Sequence, residues 1–241
     1  MKAIFLKEIR SFFGSAIAYL VIAVFLMLAG LFTFVFEGDY NVLNSGYADF
    51  TPFFNLCPWI LMFLVPAVTM KSFSDEFRMG TIELLLTKPI THFQLLGGKL
   101  FAAFFLVLFA LLPTIFYLFL IGNLAYEGNS LDSGSIIGSY AGLCFLILAF
   151  SSIGTFASTL SDNQIVSFIV GLLICFFMYF GFESLASYFG TFASTVEKIG
   201  MSAHFSSISR GVIDSRDLVY FISIGALFSV LTLFRLQAKI K

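Results

Sequence analysis

Six stretches of this chain, residues 16–36, 53–70, 100–121, 136–160, 165–182 and 218–234, contain no Asp, Glu, Lys, Arg or His. Crossing a hydrocarbon core of about 30 Å takes about 20 apolar residues in a helix, because lipid offers the backbone no hydrogen-bonding partner. Each stretch is near that length, so the expected fold is an all-α integral membrane protein with six transmembrane helices in one domain. Charge points the same way. Only 11% of the 241 residues are charged, against roughly a quarter in a soluble domain. The fourth stretch ends in the hydroxyl-rich run SSIGTFAST, whose side chains can donate back to carbonyls of their own helix.

Orientation follows from where Lys and Arg fall, since loops on the cytosolic side carry an excess of both. Lys2, Lys7 and Arg10 precede the first stretch. Lys71, Arg78, Lys88 and Lys99 lie between the second and third, and Arg235, Lys239 and Lys241 follow the last. The first and third connections carry acids (Glu37, Asp39, Asp49; Glu127, Asp132) and no Lys or Arg. Both termini are therefore expected in the cytosol of a bacterium, with the chain in its inner membrane. Phe5, Ile9, Phe12 and Phe13 recur at helical spacing opposite Lys7, Arg10 and Ser11. Residues 1–14 thus read as an amphipathic helix lying at the interface, or as a plain basic anchor. The fifth connection, 183–217, is too apolar for a free loop and too interrupted to span. Re-entrant or interface-lying helices fit it, as does a packed external cap.

Several function classes lack their chemistry. Proton- and ion-driven carriers place titratable residues inside their spans, and the six stretches hold none. His92 and His204 fall in connections on opposite sides and cannot share a site, and there is no HExxH or GxSxG. Each reads as a satisfied surface histidine. Cys57, Cys144 and Cys175 lie in apolar runs without metal-ligand spacing and read as small buried hydrophobes. Gly97–Gly98–Lys99 fails as a phosphate loop, because Phe93 stands where the first glycine belongs and Leu100 follows the lysine. Neither a cofactor nor a metal is expected in this chain, and a net charge of −1 without a basic face leaves nucleic acid out. Gly138–Gly142 and Gly154–Ser158 are small-residue pairs suited to close helix contacts. Pro66 and Pro113 are expected to kink their helices.

The second connection, 73–99, is a charged island in an otherwise apolar chain. Ser72 with Asp75 and Thr91 with Gln94 have capping-box spacing, Gly80 and Pro89 are breakers, and Thr81 can cap a short helix through Glu83 to Thr87. Two or three short helices at the cytosolic surface follow. Apolar leucines among charges suit a protein partner, though a packed loop without one also fits.

The island resembles the cytoplasmic signature of ABC-2 type permeases. Phe73, Glu76, Gly80, Thr81, Glu83, Leu85, Leu86, Pro89, Ile90, Thr91, Gly98 and Lys99 carry the likeness, and STLSDNQIVS at 158–167 is similar to the family's turn between spans four and five. The opening MKAIFLKEIRSFFGSAIAYLVIAVF and the segment FRMGTIELLLTKPIT are similar to the gliding-motility-associated (GldF-like) branch. The resemblance implies a type V exporter-like permease fold and a second permease subunit, a paralogue or another copy. It also implies cytosolic ATPase subunits that bind ATP and Mg. Phe73, Asp75, Glu76, Arg78, Gly80, Thr81, Glu83, Leu84, Leu85, Leu86 and Pro89 are the residues expected at the ATPase contact, and 183–217 corresponds to the external re-entrant segment. A membrane anchor of a motility complex that moves no solute, or a permease for copper-site maturation or drug export, would share the same signature.

Overall fold

The computed structural model describes residues 1–45, 49–86, 90–124, 132–212 and 214–239. Helix α1 (Lys2–Phe13) leads into α2 (Ala16–Phe34), and after a 3₁₀ turn come α3 (Thr51–Thr69), α4 (Lys71–Arg78) and α5 (Thr81–Leu86). Next are α6 (His92–Leu111), α7 (Ile115–Leu124), α8 (Ser133–Leu160) and α9 (Gln164–Phe176). The short α10 (Phe182–Ala186), α11 (Ala193–Glu197) and α12 (Met201–Ser209) precede the last helix, α13 (Ser215–Lys239). The described residues contain no strand. Six helical segments are long and apolar enough to cross a membrane: Ala16–Phe34, Thr51–Arg78, His92–Asn123, Ser133–Leu160, Gln164–Ala186 and Ser215–Lys239. All six expected spans are present.

Their ends differ from expectation where no helix breaker stands. Nothing interrupts the chain between Thr69 and Gly80, so α3 continues almost directly into α4, with Met70 still in helical backbone (φ −52, ψ −35). Ser72 therefore lies inside the helix and caps nothing, contrary to the capping-box reading. Thr81 is likewise the first residue of α5 rather than its cap. The second box is formed: the Thr91 hydroxyl accepts from the Gln94 amide at 3.2 Å and starts α6 eight residues before the apolar stretch. Pro113 does break its span, through the 3₁₀ turn Leu112–Thr114 that joins α6 to α7. The Thr114 hydroxyl donates to the carbonyl of Leu111 (2.7 Å) and meets the Tyr140 hydroxyl at 2.9 Å.

Two helices form the inside of the bundle. In their most apolar windows α3 with α4 is 72% buried and α8 is 61% buried, whereas the other four spans are buried to a third or less. Lipid supplies no hydrophobic drive between helices, so close approach and backbone-satisfied hydroxyls must hold such a pair. The residues fit that need. Ser152, Ser158 and Thr159 of α8 each donate to a carbonyl one turn back at 2.7 Å. Gly154 lies against Thr69 so closely that a Cβ there would stand 2.0 Å from the threonine hydroxyl. Cys57 and Cys175 are buried and free, and Cys144 is half-buried and free.

Two segments of ambiguous sequence have definite places. Helix α1 lies along α6, with Ile4 and Phe12 buried and Phe5 and Phe13 in edge contact with Phe105 and Phe109 at 5.6 and 5.8 Å. The fifth connection folds as short helices, of which α12 is packed on α8 through buried Met201, Phe205 and Ile208. Ser135 and Ser139 of α8 donate to the Ser209 carbonyl at 2.7 and 3.4 Å. The Gly138–Gly142 pair is the seat of α12. A Cβ at Gly138 would meet the Ile208 carbonyl oxygen at 2.4 Å and the Gly211 Cα at 3.0 Å.

This contact sets a testable contrast. Gly138→Ala must displace backbone, so the purified chain in detergent should lose about 1–3 kcal/mol of stability. Gly225→Ala in α13 meets nothing within 4 Å and should leave the thermal unfolding midpoint unchanged or slightly raised. Equal midpoints for the two variants would contradict the assigned seat.

Candidate functional site: a charged junction at one end of the bundle

Helices α1, α4 and α6, the α8–α9 turn and the last turn of α13 meet at one end of the bundle, and the charged island is at their centre. The closest approach is between α1 and α6. A Cβ on Gly98 would stand 2.7 Å from the Ile4 side chain and 3.3 Å from the Phe5 amide, so only glycine admits α1 there. The glycine pair that fails as a phosphate loop is a notch between two helices.

That notch brings Lys99 to its partners. The side chain is 3% exposed, and Nζ donates to the Ser72 carbonyl (2.6 Å), to Glu76 Oε1 (2.7 Å) and to Glu8 Oε1 (3.3 Å). An ammonium has three N–H bonds, and here each finds an acceptor on α4 or α1. Lys7 stands 3.5 Å from Glu8 and 3.9 Å from Glu76, so two cations and two carboxylates balance. Glu76 Oε2 is buried without a partner among the described residues. The group borders a cleft of about 440 Å³ that Lys71, Asp75 and Thr81 also line.

An apolar cluster underlies the charges: Phe73 with Ile4, Ile82, Leu95, Leu96 and Leu236. Lys99 Nζ lies 5.2 Å from the centre of the Phe73 ring. Two further links reach the other spans. Gln164, at the start of α9, donates to Asp75. Lys239, at the end of α13, pairs with Asp162 of the α8–α9 turn and sits 3.8 Å over the Phe77 ring.

The eleven residues expected at a partner contact thus divide. Phe73 and Glu76 are enclosed by the chain itself, and Asp75 and Thr81 are half-buried. Arg78, Gly80 and Glu83 are exposed. Gly80 has φ +67, a left-handed backbone that ends α4 and turns the chain into α5. The backbone of Leu84, Leu85 and Leu86 is helical, while their side chains and Pro89 lie outside the described residues. Sequence reasoning left Lys99 out of the site although it matches the motif, and it gave no role to Glu8, Gln164, Asp162 or Lys239. Gln164 was signalled by the run STLSDNQIVS; for Glu8 and Lys239 no local pattern marks a partner so far away in the chain.

Removing one member of a buried charged group leaves the others unpaired, at about 3–5 kcal/mol. Lys99→Met should destabilise the purified chain on that scale, and Glu76→Gln added to it should recover part of the loss. Strict additivity of the two in thermal unfolding would contradict the coupling. Comparison with protein families agrees with this architecture: the family model described as ABC-2 family transporter protein matches residues 2–233, nearly the whole chain. No curated protein matches the chain. With six membrane-length helices and a family match over residues 2–233, this chain is a multi-pass membrane protein that belongs to the ABC-2 transporter family.

Proposed function

We propose that the charged junction is the surface through which a cytosolic ATPase subunit drives this permease. The observation that supports it is mechanical: elements connected to all six spans meet there. The first span arrives through α1, the second through α4, the third through Lys99, the fourth and fifth through Asp162 and Gln164, and the sixth through Leu236 and Lys239. A force on the rim at Arg78, Gly80, Thr81 and Glu83 would reach every span through these contacts. Phe73, Asp75 and Glu76 transmit in this reading, while Glu83 and Arg78 touch the partner, joined by Leu84, Leu85, Leu86 and Pro89.

The distribution of Lys and Arg supports a cytosolic position for this end and both termini in a bacterial inner membrane. The partner would bind ATP and Mg, and a second permease subunit would complete the pathway. The likeness of the opening segment and of FRMGTIELLLTKPIT supports a place in gliding motility or secretion-machinery assembly, with a different chain as the second permease.

Exposed substitutions test the contact without disturbing the fold, since surface changes usually stay within about 0.5 kcal/mol. Glu83→Lys, and separately Arg78→Glu, should leave membrane insertion and thermal stability intact. Each should lower the amount of ATPase that co-purifies by about tenfold and abolish ATP turnover stimulated by the permease. Wild-type co-purification with unchanged turnover in both variants would overturn the assignment.

A further inference from the structure

Helix α1 presents three different flanks. The flank seated on α6 buries Ile4 and Phe12. Glu8, the one acid of the helix, is turned inward as well, with Oε1 3.3 Å from Lys99 Nζ and 3.5 Å from Lys7 Nζ. To one side of that seat, Lys7, Glu8, Ser11 and Phe12 line the 440 Å³ junction cleft. To the other side Phe5, Ile9 and Phe13 are half-buried; standing four residues apart, they form one line along the helix. Phe5 and Phe13 lie against Phe105 and Phe109 of the third membrane-length segment, side chains that are 47% and 50% exposed on its outer surface. This line of α1 therefore faces lipid.

Lys2, Leu6 and Arg10 each stand three residues before a member of that line and so form the line next to it, on the side away from α6. All three are exposed. Neither Lys2 nor Arg10 lines the junction cleft, and neither forms an ion pair among the described residues. With Glu8 engaged inward, no acid of α1 offsets them. Only Gly14 and Ser15 separate α1 from the first span, and Phe13 meets Tyr19 of that span at 6.2 Å, so the line lies at the membrane boundary. A leucine between two unpaired cations, bordering a lipid-facing line, is complementary to a surface of anionic headgroups. The apolar stems and Leu6 lie over acyl chains while the ammonium and guanidinium reach phosphate oxygens. A protein docked over the junction cleft meets the opposite flank, at Lys7 and Ser11.

We infer that the outer line of α1, Lys2 with Leu6 and Arg10, binds anionic phospholipid at the membrane surface. Helix α1 is then held from two sides, by lipid phosphate at Lys2 and Arg10 and by Lys99 at Glu8. The inference does not rest on the ATPase contact. The test is native mass spectrometry of the full chain in detergent, titrated separately with phosphatidylglycerol and phosphatidylcholine of the same acyl chains. Both carry a phosphate, but the quaternary ammonium of phosphatidylcholine cancels its charge. Wild type should retain phosphatidylglycerol about tenfold better, the scale of one or two cations at an anionic surface. Lys2→Gln/Arg10→Gln should lose that preference, and Lys2→Arg/Arg10→Lys should keep it. The replaced side chains are exposed and unpaired, so without lipid the unfolding midpoint of the glutamine variant should match wild type. Added phosphatidylglycerol should raise the midpoint of wild type and leave that of the glutamine variant unmoved. Equal retention of the two lipids by wild type, or a preference that survives in the glutamine variant, would overturn the site. Loss of the co-purifying ATPase from a glutamine variant with its lipid preference intact would instead assign this face to the ATPase.

Discussion

The structure depends on how one buried ammonium is satisfied. Taking a charge out of water costs several kcal/mol even after relaxation, and Lys99 is 3% exposed. Its position is tolerable only because three acceptors converge on it from two other helices. The arrangement fixes α1, α4 and α6 relative to one another far more tightly than apolar contact would. A helix sliding along a greasy face loses contacts gradually, whereas one sliding past Lys99 leaves an unpaired charge. The junction therefore moves as a unit or not at all, and that is the property a mechanical input needs.

Packing elsewhere serves the same end by other means. The inner pair of helices is joined through Gly154 against Thr69, while hydroxyls of Ser152, Ser158 and Thr159 return to their own backbone. Those hydroxyls leave nothing polar for lipid to reject, and the backbones approach closely enough for dispersion to hold them. The outer helices keep large apolar side chains outward, such as Phe105, Phe109, Phe119 and Phe234, which suits a hydrocarbon surround. Burial is concentrated along α3, α4 and α8, and α4 carries that packed core directly to the junction.

Much of this was legible in the sequence because the underlying signals are local. Hydropathy over about 20 residues identifies a span, and Thr91 with Gln94, Gly80 and Pro113 acted as their side chains and backbone require. The misjudged parts are non-local. Glu76 and Phe73 sit among charges in the chain and so read as water-facing, but they are enclosed by Lys99, Ile4 and Leu236, from distant parts of the sequence. The same holds for His204, whose partner Asp217 lies one residue outside the last apolar stretch and is carried into cover by the longer helix α13. Ser72 failed as a cap for a related reason: capping needs a preceding break, and the chain around Met70 contains none.

The two ends of the bundle each hold a buried ion pair. At the junction the buried Lys99 is matched by Glu76 and Glu8, and Arg78, Gly80 and Glu83 form an exposed rim. At the far end the buried Asp217 is matched by His204. Matched buried charge at either end resists any change in spacing, because sliding would leave a charge unpaired. The helices between them, α8 and α13, run uninterrupted from the α12 seat and Asp217 to the Asp162 turn and Lys239, and so join the two ends directly.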